Sequence, residues 1–191
     1  DYLFPLCRGK KVIHFGCTDY PVFHPHNNLH IQLSGLTKEL HGFDIDLNGI
    51  EELKKYVNQP YFSSFEQLKN EHYDVCLIPE TIEHVDNIRE FLENLIHVEA
   101  DVYIITGPNC FCKEHIERNS FADGVFKEII HPDHNYWFSP FTLKNVIEKY
   151  SHLTVRQVYL LENDTMACCE AIKSAMSRQA MPQAQGAQKI Q

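Results

Sequence analysis

Lys11-Val12-Ile13-His14-Phe15 is a short apolar run that stops at Gly16, the pattern of a buried strand followed by a tight turn. Beyond a loop rich in Pro, His and Asn, Leu29, Leu33, Leu36 and Leu40 fall at helical spacing, and Gly42-Phe43-Asp44-Ile45 reads as a second strand. Asn48 to Glu51 has the form of a capping box ahead of Ile50, Leu53 and Val57, which share one helix face. Tyr61-Phe62 predicts a brief third strand, with Ser63 and Glu66 as a second capping box for a short helix. Tyr73 to Ile78 is a continuous apolar strand stopped by Pro79. Asp86 is the expected N-cap of a helix whose apolar stripe is Ile88, Phe91, Leu92, Leu95 and Ile96. Asp101 to Thr106 predicts another strand, ended by Gly107-Pro108, and residues 107–137 show no sustained period. Ser139-Pro140 opens a helix with proline at its first position, and Phe141, Leu143, Val146, Ile147 and Tyr150 supply its apolar face. Leu153–Leu161 and Met166–Ile172 are strands joined by the turn Glu162-Asn163-Asp164.

Strands alternating with helices, the strands apolar throughout, predict an α/β fold with a mostly parallel sheet covered by helices on both faces. The last two strands lie too close for a helical crossover, so they are expected to pair antiparallel as a C-terminal edge hairpin. Residues 1–174 form the expected domain. Residues 175–191, with five Gln and no apolar stripe, form a Gln/Ala-rich tail.

Composition narrows the function. The chain has 191 residues with 17 basic and 26 acidic side chains, a net charge of −9. A pI of about 5.7 argues against a nucleic-acid binder held by phosphate neutralisation. No apolar run approaches the ~20 residues that span a bilayer, and the N-terminal residues lack the pattern of a signal peptide. Seven cysteines, two of them adjacent at Cys168-Cys169, fit reduced thiols in the cytoplasm better than a disulfide framework. Self-association is left open.

In open parallel sheets ligands bind beyond the carboxyl ends of the strands, where strand order reverses. The turn after the first strand holds Gly16 as its only glycine, so it has neither the dinucleotide nor the P-loop spacing. Asp19 in that turn can bind a cationic group. Asp44, 28 residues after Gly16, can accept two hydrogen bonds from a ribose diol, with Asp46 as its competitor.

His-Phe-Gly-Cys-Thr-Asp, then Gly-Phe-Asp-Ile-Asp, then Tyr-Asp-Val-Cys-Leu-Ile-Pro-Glu-Thr-Ile-Glu-His-Val-Asp-Asn resemble the class I S-adenosylmethionine-dependent methyltransferases. Ile-Ile-Thr-Gly-Pro-Asn and His-Pro-Asp-His-Asn-Tyr-Trp-Phe-Ser-Pro-Phe-Thr-Leu resemble a branch associated with glycan or small-metabolite modification, and the likeness spans about residues 10–172. It implies a Rossmann-like sheet, S-adenosyl-L-methionine as cofactor and a small-molecule or glycan acceptor. It places His14, Gly16, Cys17 and Asp19 in the cofactor turn, Gly16 and Cys17 against the methionine. Asp44 is placed on the ribose, Ile45 on adenine, Phe62 and Ser63 near the adenine edge, and Pro79 and Glu80 on the methionine side. Glu83-His84 begins the wall toward the acceptor. The family commonly has an acid where His14 stands and glycines where Thr18 and Tyr20 stand.

Methyl transfer to oxygen needs a base, and imidazole suits neutral pH. His131 and His134 are the first candidates, with His84 next, and Asp133 can orient one of the rings. The same block can equally serve to anchor a lid through Trp137. His24-Pro25-His26 with His30, and Cys110-Phe111-Cys112 with His115, have metal-like spacing, yet neither completes a four-ligand set, so no metal is expected. Phe111, Phe121, Phe126, Tyr136 and Phe138 either roof an acceptor pocket or form the mini-core of the long loop. Glu114, Glu117, Asp123 and Glu128 read as a solvated acidic face. Two functions compete: a methyltransferase acting on a small molecule or sugar, and a degenerate methyltransferase fold used as a binding or partner module without turnover.

Overall fold

The computed structural model describes residues 2–19, 21 and 23–174. In chain order the elements are α1 (Leu3–Cys7), β1 (Lys11–Phe15), α2 (Leu29–Ser34), β2 (Glu39–Phe43), α3 (Leu47–Leu53), β3 (Tyr61–Phe62), β4 (His72–Ile78), α4 (Ile88–Asn94), β5 (Glu99–Pro108), α5 (Lys113–Arg118), β6 (Ser120–Ala122), β7 (Val125–Lys127), α6 (Pro140–Tyr150), β8 (Leu153–Leu161) and β9 (Met166–Lys173). The seven-stranded sheet runs β3-β2-β1-β4-β5-β9-β8. β1 through β5 pair in parallel, whereas β9 is antiparallel to both β5 and β8. The sheet is therefore Rossmann-like and mostly parallel, with the expected antiparallel hairpin at its C-terminal edge. Glu162, Asn163 and Asp164 turn that hairpin with φ of 50°, 56° and 70°, and Asn and Asp tolerate this left-handed backbone better than most residues.

Alternation along the strands sends successive side chains to opposite faces. Ile13, Phe15, Cys76 and Ile78 pack with Leu92 and Leu95 at the end of α4 and with Leu143 and Ile147 of α6. Val12, Leu40, Val75 and Leu77 pack with Leu3 and Cys7 of α1 and Leu33 of α2. Burial on both faces is why these strands read as unbroken apolar runs.

Several boundaries differ from the sequence reading. α2 ends at Ser34, so Leu36 and Leu40 lie beyond it, and Leu40 is a core residue of β2. β2 stops at Phe43, which leaves Asp44 and Ile45 past its carboxyl end. Asp46, not Asn48, caps α3, accepting from the N–H groups of Asn48 at 3.0 Å and Gly49 at 3.2 Å. The next capping box is Ser64 with Gln67, Asn87 rather than Asp86 caps α4, and α4 ends at Asn94, so Ile96 lies beyond it and is exposed. Each cap is displaced by one or two residues because adjacent polar side chains compete and backbone entry geometry decides. Ser139 and Pro140 start α6 as predicted. Gly107 and Pro108 continue β5 rather than end it. Within 107–137, α5 buries no residue and the β6–β7 hairpin is exposed throughout, so no apolar period marks them. The Gln/Ala-rich tail lies outside the described residues.

Gly42 in β2 makes room for its neighbours: a Cβ there would lie 2.6 Å from the Tyr61 ring and 2.9 Å from Cys17 Sγ. Gly42→Ala is expected to lower unfolding free energy by about 1–3 kcal/mol through overpacking, as read by urea denaturation.

Candidate functional site

Neighbouring strands run one way from β1 (β2, β3) and the other way from β4 (β5), so strand order reverses between β1 and β4. A cavity of about 280 Å³ sits beyond this point. Its walls are His14, Gly16 and Asp19 from β1 and its turn, Pro79 and Glu80 after β4, Tyr2 to Phe4 beside α1, Leu29 and Gln32 of α2, and Leu161, Glu162 and Met166 at the β8–β9 turn. Gly16 has φ +66°, and a Cβ on it would land on the Thr81 hydroxyl. That hydroxyl donates to Pro79 O at 2.8 Å and stands 3.3 Å from Phe15 O, so it links the turns after β1 and β4.

Asp44 bridges two turns. Its Oδ2 accepts from Thr18 N at 3.1 Å and Thr18 Oγ1 at 3.0 Å, and its Oδ1 accepts from Asp46 N at 3.0 Å. Asp46 caps α3 through Oδ1 alone, whereas both oxygens of Asp44 already accept from the two turns. Ile45 beside it is 82% exposed, a large apolar side chain with nothing over it. Cys17 is buried against Gly42 rather than in the cavity wall, so only its backbone is left for a ligand there. Phe62 is half-buried with its ring 5.5 Å from that of His41, and Ser63 N donates to Gln67 Oε1 at 2.8 Å. Asp44, Ile45, Phe62 and Ser63 thus line the ends of β2 and β3, outside the cavity wall. Tyr20, where the family commonly has glycine, lies outside the described residues.

Buried carboxylates crowd the turn after β4. Glu80 has φ +41°, donates its N–H to Thr106 Oγ1 at 3.0 Å and accepts from that hydroxyl at 2.9 Å. Burial raises the pKa of Glu80, partly offset by the Thr106 hydrogen bond, with Glu162 adding repulsion. Glu83 is 1% exposed and neither carboxylate oxygen has a hydrogen-bond partner. Burial, then repulsion from Glu80, raises its pKa as well. Asp19 is raised by burial although Asn28 Nδ2 donates to it at 3.0 Å.

His14 takes an unexpected partner, His30, with Nδ1 to Nδ1 at 3.2 Å and rings stacked at 5.3 Å. One nitrogen donates and the other accepts, so the pair is neutral. Burial, with repulsion from His30, holds His14 well below an ordinary histidine, and burial holds His30 down to about 3. Below the ~6.5 of a free imidazole the unfolded chain binds protons that this folded pair refuses. The stability it provides is therefore complete above that pH and falls as pH drops toward about 3. His30→Asn, whose amide reaches the Nδ1 position, is expected to flatten the loss of melting temperature between neutral and acid pH relative to the unsubstituted protein. Equal slopes would overturn this account.

His84, His131 and His134 converge, although the chain separates the first from the others. Their ring centroids are 4.7 Å (His84–His134), 5.7 Å (His84–His131) and 5.3 Å (His131–His134) apart. Two loops hold them together: Asn135 N donates to Glu83 O at 2.7 Å, Asn135 Nδ2 to His84 O at 3.0 Å, and the Tyr136 hydroxyl to Asp86 O at 3.2 Å. Burial and adjacent imidazoles lower the pKa of His134, and burial lowers that of His84. One loop, Pro79 to His84, thus carries both the cavity wall at Glu80 and the edge of this cluster.

Three residues of the spacings with a metal-like look have structural roles. His30 serves His14, Cys112 Sγ accepts from His115 N in capping α5, and His115 Nδ1 is 2.7 Å from Asn109 O. Phe111, Phe121 and Phe126 are 69%, 75% and 61% exposed and form no mini-core, whereas Tyr136 and Phe138 stack at 6.1 Å on the main core. Sequence reasoning missed the roles of His30, Thr18, Thr81 and Glu83. For Glu83 the available signal was an acid just beyond a buried strand and beside His84.

No protein-family model matches the sequence, and no curated protein matches it either. Solved structures do. A SAM-dependent methyltransferase from Aquifex aeolicus aligns over 91% of this chain and 87% of its own, at 16% identity and a TM-score of 0.60. The DhpI–SAH complex aligns over 87% and 78%, at 15% identity and 0.57. The N-methyltransferase NodS from Bradyrhizobium japonicum WM9 aligns over 90% of each chain, at 10% identity and 0.52. The chain has the fold of the class I S-adenosylmethionine-dependent methyltransferases.

Proposed function

We propose that this protein transfers a methyl group from S-adenosyl-L-methionine to an oxygen of a small-molecule or sugar acceptor. The observation that carries the reading is the cavity at the β1–β4 reversal, bounded by the left-handed Gly16 turn and by Pro79-Glu80, with Asp44 at the adjacent strand end. The residues fit the cofactor: Gly16, its turn locked against Thr81, lines the cavity, and Ile45 offers an open apolar surface for a base. Asp44 would hold the ribose hydroxyls, His14, Gly16, Asp19, Pro79 and Glu80 the methionine part, and Phe62 and Ser63 the adenine edge. When bound, the cofactor supplies a methyl carbon activated by its sulfonium.

The chain's own work is alignment and proton removal. Fixing an acceptor in line with the methyl carbon replaces an encounter with a near-attack geometry, worth several kcal/mol of barrier. An oxygen acceptor must also lose its proton, and His131 or His134, with His84 beside them, takes it. A cytoplasmic setting agrees with seven free cysteines, and no described helix is long and apolar enough to cross a membrane. The replacement of family glycines at Thr18 and Tyr20 favours a second reading, a fold that binds a partner without turnover. Calorimetric titration with S-adenosylhomocysteine separates them. One-to-one micromolar binding is expected, and no heat at millimolar ligand would sink the methyl-transfer reading.

A further inference from the structure

We propose that His84, His131 and His134 form a binding site for one divalent transition-metal ion of the zinc class. Each offers one nitrogen, and these nitrogens lie within 4.8 Å of one another. Imidazoles on a zinc-type ion at about 2.0–2.1 Å stand roughly 3.4 Å apart, so the site closes by settling of side chains alone. Two of the three, His84 and His131, are exposed.

The surroundings prepare the nitrogens. His84 Nδ1 is 3.1 Å from Asp133 O, and a carbonyl only accepts, so this nitrogen carries the proton. The lone pair is then on Nε2, as for a metal-binding imidazole whose other nitrogen is held by a backbone oxygen. His134 Nδ1 is buried and has no hydrogen-bond partner. His131 Nδ1 accepts from Asp133 N at 3.3 Å, so its lone pair is on the Nδ1 side, with an Asp133 carboxylate oxygen 3.9 Å away.

Glu83 is the independent observation. Its carboxylate is buried and, among the described residues, without a hydrogen-bond partner, with Oε1 4.0 Å from His84 Nε2, the nitrogen assigned to the ion. A buried carboxylate without a partner is costly, and a cation at His84 gives it one. Nitrogen-only donors select zinc, cobalt or nickel over magnesium and calcium, which prefer oxygen. Three protein ligands also leave an open position, the arrangement of a reactive site and not of a closed structural one. Its role in chemistry rests on the methyl-transfer reading: the open position would take the acceptor's hydroxyl oxygen and acidify it, the proton passing to solvent water, so that the oxygen forms its bond to the methyl carbon as the carbon–sulfur bond of the sulfonium breaks. The ion then replaces the imidazoles as the activating group, and they serve as base directly only when it is absent.

The test is titration of the chelator-stripped protein with Co²⁺, followed by its visible ligand-field bands, with Zn²⁺ as competitor. Expected are one equivalent, bands of a four- or five-coordinate ion, displacement by Zn²⁺ and none by Mg²⁺. His131→Gln, at an exposed position that leaves folding intact, is expected to weaken binding at least tenfold, and His84→Ala by more. Glu83→Gln is expected to weaken it roughly tenfold, the scale of a lost partner outside the ligand set. The pair His24→Ala/His26→Ala, not among the cluster's residues, leaves it unchanged. Absence of saturable binding, or binding that His131→Gln leaves intact, overturns the proposal. S-adenosylhomocysteine calorimetry on the same sample keeps the two readings apart. Metal bound without S-adenosylhomocysteine upholds the site and removes methyl transfer, and the converse removes the site alone.

Discussion

Asp44→Ala is expected to weaken S-adenosylhomocysteine binding roughly a hundredfold, since a carboxylate that accepts from two ribose hydroxyls makes charged hydrogen bonds worth about 1.5–3 kcal/mol each. The same substitution costs stability without any ligand. Asp44 accepts from Thr18 N, Thr18 Oγ1 and Asp46 N, and these donors tie the turn after β1 to the turn after β2. A loss of about 1–3 kcal/mol is therefore expected in urea denaturation of the free protein. Asp44→Asn keeps an oxygen for one of these turns but sets an NH2 against the donor of the other, so a smaller loss of stability than for Asp44→Ala is expected, with affinity still reduced. A folded Asp44→Ala protein that binds with unchanged affinity would remove the ribose role from this residue.

Gly16→Ala is expected to have the second large effect. At φ +66° any side chain is strained, and here the new Cβ also meets the Thr81 hydroxyl, which cannot withdraw without leaving Pro79 O. Strained left-handed backbone costs about 1–3 kcal/mol, and the steric conflict adds to it. Gly9 provides the comparison, because its φ is +68° and nothing lies within 4 Å of a Cβ there. Gly9→Ala isolates the backbone cost, so Gly16→Ala is expected to exceed it in denaturation, and Gly16→Ala/Thr81→Ala to recover the excess. Loss of S-adenosylhomocysteine binding should accompany Gly16→Ala but not Gly9→Ala. Equal destabilisation at the two glycines would mean that Thr81 yields freely and that the turn after β1 is not held to the turn after β4.

Much of the site was legible because strand ends are legible. Phe15-Gly16 and Ile78-Pro79 mark where buried strands stop, and in a parallel sheet that is where ligands gather. The assignment of Asp44 and Asp46 was less accessible. Both are acids near the end of β2, and only the backbone path shows one turned toward Thr18 and the other capping α3. Cys17 shows the same limit: the family likeness placed it against the methionine, but its side chain packs toward Gly42. The family likeness suggested a role for His14 alone, and its pairing with His30 depends on how α2 lies across β1.

By itself the sequence determined the alternation of strands and helices, the edge hairpin and the carboxyl-end positions from which a ligand site is built. It could do so because hydrophobic period, caps and turn residues act over a few neighbouring positions. Only the tertiary structure decided which side chains meet: His84 with His131 and His134, His14 with His30, and Glu83 left buried without a partner. Those encounters depend on strand order and on two distant loops stitched through Asn135, and no local pattern of residues encodes a distance across the fold.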